Sequence, residues 1–223
     1  AMHLLGEGKL VEGYAGKGFY LSGHDTWLEC YRDESLNITG KGLTIDGWFK
    51  LDNYYNPIPL VTKGSHQYGM NLVAKDSIEF YIYDKEKISV QATLPENWMG
   101  NWHRVTASFD GQALKLFVDG TLIATREHPG AIRACPFPLA IGRNLEQHVG
   151  GEFTGIYFQG SVDEIKLFNR PLSPEAIDQG TGTAVLDVDF EKVENNGTFY
   201  TVGLDGRTYG LVWPDRGIQP ELY

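Results

Sequence analysis

The run WHRVTASFDGQALKLFVDGTLIATRE, Trp102 to Glu127, constrains the fold more than any other stretch of this chain. Val105, Ala107 and Phe109 alternate with Thr106 and Ser108, and Leu114, Leu116 and Val118 alternate with Ala113, Lys115 and Phe117. A period of two puts each set on one face of a strand. Asp110-Gly111 and Asp119-Gly120 interrupt the alternation with residue pairs that reach the positive φ angles of two-residue hairpin turns. The stretch predicts a three-stranded antiparallel meander.

Similar patterns recur at LTIDGWFKL (Leu43 to Leu51), SIEFYIYD (Ser77 to Asp84), GSVDEIKLF (Gly160 to Phe168) and AVLDVDF (Ala184 to Phe190), each bounded by Gly, Asn or Asp. One short helix is predicted at SPEAIDQG, with Ser173 as its cap, Pro174 in its first turn and Gly180 at its end. Many strands and 27 glycines in a chain of 223 residues predict an all-β domain, a two-sheet antiparallel sandwich with one short helix. The division expected is an N-terminal lead over 1–15, the sandwich over 16–190, and a linker with a C-terminal strap over 191–223.

A net charge of −10 repels phosphate and sulfate, which argues against a nucleic acid partner. No apolar run approaches the ~18 residues of a membrane span. Ala1-Met2 reads as a remnant of cloning, so any export signal would lie on a longer parent chain. Cys30 and Cys135 have no metal-ligand spacing, which leaves two buried thiols or one disulfide, and Cys30 shares an inward face with Leu28. The histidines are scattered, with no pair at zinc-helix spacing.

GKGFYLSGHDTWLEC, LTIDGWFKL, NWHRVTASFDGQALKLFVDGTLIA, PLAIG and GSVDEIKLFNRPLSPEAI follow one another in that order. Together they resemble successive elements of laminin-G-like, concanavalin A-like jelly-roll modules, over about Gly16 to Ile177. In that family a strand ending in DFE opens the module. Here AVLDVDFE follows the helix, an order expected of a module inserted into a larger protein.

Asp163 falls on the same face as Ile165 and Leu167 by simple alternation, so a buried carboxylate is expected there. It must find donors: backbone amides, or an arginine such as Arg143 or Arg170. The alternative, implied by the resemblance, is a structural calcium ion held by Asp163 with Asp25 and Asp189. Asp187, Asp189 and Glu191 share one face of the later strand, and sandwich-fold glucanases carry similar carboxylates as nucleophile and general acid. Those enzymes place Glu where this chain has Asp187. The arm is shorter by about one methylene, where catalytic geometry holds within ~0.5 Å. The other reading is a solvated acidic face, and no catalytic residue is assigned.

Tyr54 and Tyr55 in DNYYNP, and Tyr157 and Phe158 in GIYFQG, fall in connections rather than strands. Flat rings there suit sugar binding, since the C–H face of a pyranose stacks on them. Packing, or contact with another domain, is the alternative.

The C-terminal YGLVWPDRGIQPELY resembles the end of the catalytic barrel in glycoside hydrolase family 2 β-galactosidases, matching at Gly210, Leu211, Val212, Trp213, Asp215, Arg216, Pro220, Glu221 and Leu222. Ile218 stands where Pro is common. Tyr209 stands where some members have a metal-holding Asn, so metal binding is not carried over. The family's catalytic glutamates, one in an Asn-Glu pair, have no counterpart here. The resemblance implies a noncatalytic accessory module of a secreted or periplasmic β-galactosidase, with that enzyme's catalytic barrel as partner and a galactose-containing glycan as ligand. An autonomous glycosidase and a structural or adhesion module are the rival readings.

Overall fold

The computed structural model describes residues 2–5, 8–24, 26–30, 33–55, 57–148, 157–191, 193–195, 199–204 and 207–212. In chain order the strands are β1 (Met2–Leu5), β2 (Lys9–Glu12), β3 (Lys17–Ser22), β4 (Trp27–Cys30), β5 (Leu43–Leu51), β6 (Ile58–Lys63), β7 (Tyr68–Ala74), β8 (Ser77–Tyr83) and β9 (Lys87–Thr93). They continue with β10 (His103–Phe109), β11 (Ala113–Val118), β12 (Thr121–Glu127), β13 (Leu139–Ile141) and β14 (Gln159–Phe168). The helix α1 (Pro174–Asp178) then precedes β15 (Leu186–Val188), β16 (Val193–Asn195), β17 (Phe199–Leu204) and β18 (Arg207–Val212).

Two antiparallel sheets form the sandwich. One runs β1-β4-β13-β6-β7-β8-β9; the other runs β12-β11-β10-β5-β14-β3-β2, with β15 on β14. Strands β16, β17 and β18 make a small separate sheet. The expected lead over 1–15 therefore supplies an edge strand to each large sheet, and the sandwich starts before residue 16. From Trp213 onward the strap lies outside the described residues.

The meander is present as β10-β11-β12, but its two turns differ. Val118 pairs with Thr121 across Asp119-Gly120, both at positive φ, as a two-residue hairpin requires. The first turn is longer, because Asp110 uses Oδ1 to accept the amides of Gln112 and Ala113. Helix α1 is capped by Ser173, whose hydroxyl accepts from Ala176 N. Its side packs through Ala176 and Ile177 on Phe168, and Asp178 accepts from Arg104 at 2.8 Å.

Between the sheets, inward residues of every large strand form one apolar core, with Phe49 edge-on to Phe158 at 6.3 Å between centroids. Cys30 lies in this core, and both cysteines are free and buried. Where β14 crosses β5 the alternation slips. Asp163 pairs with Trp48 and Lys166 with Asp46, so Glu164 and Ile165 together oppose Gly47. Glu164 takes φ 50°. This bulge turns Ile165 inward over Gly47, where a Cβ would meet the Ile165 Cδ1 at 2.4 Å.

The bulge corrects the expectation for Asp163. Its side chain shares the outer face with Trp48 rather than the inner face with Ile165, and it is still fully buried, at 0% exposure. The turn between β2 and β3 lies over it: Ala15 N donates to Oδ2 at 3.0 Å, and Glu164 N donates to Oδ1 at 2.8 Å. Tyr14 from the same turn stacks on Trp48. Backbone amides, not Arg143 or Arg170, satisfy this carboxylate.

Burial pushes the Asp163 carboxyl up to about 6 against the pull of those amides. A folded value above the ordinary 3.8 means the protonated form favours the fold. That contribution is full below about pH 4 and is lost as the pH rises through 6. Asp163→Ala should destabilise by ~1–3 kcal/mol through the orphaned amides. In chemical denaturation the gap to wild type should be wider at pH 5 than at pH 7; an equal or narrower gap at pH 5 contradicts the assignment.

Candidate carbohydrate-binding site

Three connections emerge at one end of the sandwich: β3 to β4, β5 to β6, and β13 to β14. Backbone bonds hold them together. Asp52 N donates to Gln159 O at 3.0 Å, Gly142 N to Leu60 O at 2.9 Å, and Phe158 N to Gly142 O at 3.0 Å. Tyr54, Tyr55 and Tyr157 thus reach the same end, although they are a hundred residues apart in sequence. Their settings differ. Tyr55 is 67% exposed, with its hydroxyl accepting from Asn53 Nδ2. Tyr54 is half-buried against the core, and Tyr157 is buried. Phe158 is at 0% exposure in the inter-sheet core, so it offers no ring face to a sugar and leaves the candidate set.

Strand β4 starts at this end with Leu28 and Cys30 inward and Trp27 and Glu29 outward. Strand β13 pairs with it so that Ile141 lies opposite Leu28, and the chain then carries Arg143 back across the outer face. The Arg143 guanidinium sits 4.1 Å from the Trp27 ring and 5.0 Å from the Tyr157 ring. Arg143 is only 5% exposed, and its Nη2 is buried without a hydrogen-bond partner. Its carbonyl accepts from Thr62 Oγ1 at 2.8 Å, which fixes the backbone beneath it. Trp27 Nε1 donates to Glu29 Oε2 at 3.2 Å.

Burial raises the Glu29 carboxyl above its ordinary value, while the Trp27 bond and the Arg143 charge pull it down. Burial lowers Arg143 from its usual range, and the neighbouring Tyr157 and Glu29 oppose this. The site thus combines aromatic faces, a donor seeking an acceptor and a carboxylate, the groups that hold sugar rings and hydroxyls. Trp27, Glu29 and Arg143 were not assigned to a site by sequence reasoning. Only the pairing of β13 with β4 brings Arg143 over Trp27.

The carboxylates singled out in the sequence are dispersed into structural roles. Asp187 lies 3.9 Å from Lys166 Nζ, Asp189 Oδ1 accepts from Glu191 N at 3.0 Å, and Glu191 Oε1 accepts from Lys17 N at 2.5 Å. Phe190, between the last two, turns inward at φ 58°. Asp25 lies outside the described residues. Among the described residues no three His, Cys, Asp or Glu side chains gather as a metal site, so Asp163 and Asp189 join no such group.

A two-sheet sandwich with its connections gathered into an aromatic end defines a lectin-type architecture. The chain belongs to the concanavalin A-like lectin/glucanases superfamily, whose family model matches residues 22–178. No curated protein matches it in sequence. Among solved structures, it is similar to domain 4 of AbnA, a GH43 extracellular arabinanase from Geobacillus stearothermophilus, in complex with arabinotriose. The TM-score is 0.62 at 15% identity, covering 82% of this chain and 87% of that one. It is also similar to the CBM40 of the Ruminococcus gnavus IT-sialidase bound to α2,3 sialyllactose, with TM-score 0.57 and 18% identity over 74% of this chain and 96% of that one. The binding domain of Paraclostridial Mosquitocidal Protein 1 gives TM-score 0.63 at 15% identity over 91% of this chain, which spans about half, 53%, of that chain. Identities this low show the shared fold alone.

Trp27→Phe removes the N–H that draws Glu29 down. Its carboxyl should therefore titrate at higher pH than in the wild type when followed by carbon-13 NMR. A downward or absent shift would show that this bond does not set the charge of Glu29.

Proposed function

We propose that this chain is a noncatalytic carbohydrate-binding module carried by a secreted or periplasmic β-galactosidase, and that it presents a galactose-containing glycan to that enzyme's catalytic barrel. The observation that carries the binding role is the exposure of Tyr55 at the same end of the sandwich as the Trp27, Tyr157 and Arg143 cluster. A sugar ring stacks its C–H face on the exposed Tyr55. Ligands named for two similar domains, arabinotriose and α2,3 sialyllactose, are also glycans.

Noncatalytic action is supported by the partners of Asp187, Asp189 and Glu191, which tie these carboxylates to Lys166 and to backbone amides. The β-galactosidase parent is supported by the sequence of the C-terminal strap. Among the described residues no helix is long and apolar enough to cross a membrane.

Titration calorimetry with galacto- and arabino-oligosaccharides should give saturable heats, and Tyr55→Ala should weaken binding about tenfold with no change in melting temperature. Neither protein should release a chromogenic aglycone from a β-galactoside. Turnover abolished by Asp189→Asn would replace this reading with an autonomous glycosidase.

A further inference from the structure

At the opposite end of the seven-stranded sheet, where β4 and β6 finish and β13 begins, Lys63, Asp33, Glu34, Phe137, Leu36 and Leu139 border a cavity of about 470 Å³. That volume lies within the range of small-molecule sites, about 300–1,000 Å³. The walls are chemically distinct. Lys63 is buried in the wall, and its Nζ donates to Cys135 O at 3.1 Å and Phe137 O at 2.6 Å. An ammonium has three N–H bonds, so one is left after these two carbonyls. Two carboxylates stand toward solvent. Asp33 gives only Oδ1 to Ser35, and Glu34 makes no ion pair among the described residues. Phe137, half-buried between Pro136 and Pro138, contributes a ring beside Leu36 and Leu139.

These groups call for a ligand with one apolar face and an edge that both donates and accepts. A sugar residue has that form: hydroxyls donate to Asp33 and Glu34 and accept from Lys63, and ring C–H bonds lie on Phe137. Among the described residues two carboxylates stand against one ammonium, which disfavours an anionic ligand, and the net charge of −10 adds to that preference. We infer that this cavity is a second binding site, taking a single neutral sugar residue. It is built from different strands and connections than the Tyr55 end and does not depend on the reading given for that end.

Leucine-methyl NMR reads the cavity directly through Leu36 and Leu139. Free galactose or arabinose should shift both signals saturably, and galacturonate should bind roughly tenfold more weakly. Glu34→Gln, an exposed change that leaves the fold intact, should weaken the neutral sugar about fivefold at unchanged melting temperature. Tyr55→Ala should leave these shifts as they are. Leu36 and Leu139 signals unmoved by either neutral sugar, or moved equally by galacturonate, would overturn the inference. Shifts confined to the Trp27 indole would do so while leaving the Tyr55 end as the binding site.

Discussion

Ile165 lies over the bare backbone of Gly47 because Glu164 absorbs one extra residue in β14, and that local geometry decides how the central strand pair divides its side chains. Before the bulge, Val162 faces inward opposite Phe49; beyond it, Leu167 faces inward opposite Ile45. Without the extra residue, one half of β14 would present its polar set to the core, since a one-residue slip reverses every side chain. Phe158, which leads into β14 of this same sheet, meets Phe49 edge-on. Tyr157, one residue earlier, lies on the outside against Arg143.

Charge is handled on the outer faces. Arg104 donates to both oxygens of Asp46 at 2.9 and 3.1 Å and reaches Asp178, which fastens α1 to the eight-stranded sheet. Glu79 is held below its usual range by Lys87 despite its burial. Asp163 sits under the β2–β3 turn with amides as partners. Each of these groups has partners that stabilise the scaffold. Arg143 differs, because one of its nitrogens remains without an acceptor.

Much of this was legible in the chain. Leu43 to Leu51 alternates cleanly and ends on Leu51, and it is β5 residue for residue. Ser173 announced the helix cap and Asp119-Gly120 the tight hairpin. What was not legible depends on register. Strict alternation placed Asp163 inward, and nothing in GSVDEIKLF marks Glu164 as the residue that takes positive φ. In sequence the short edge strands Met2–Leu5 and Lys9–Glu12 lack an alternating apolar set, and Leu10 of the second is exposed at the margin. At the site, the exposed Tyr55 could be found from its loop context, but Phe158, in the same kind of context, is core. Arg143 gained its place only from long-range pairing between β13 and β4.

A crystal structure of the chain soaked with a galacto- or arabino-oligosaccharide tests the central claim most directly. The account predicts an intact sugar stacked on the exposed Tyr55 at the end of the sandwich that carries Trp27, Tyr157 and Arg143. A cleaved oligosaccharide lying along Asp187, Asp189 and Glu191 would contradict it.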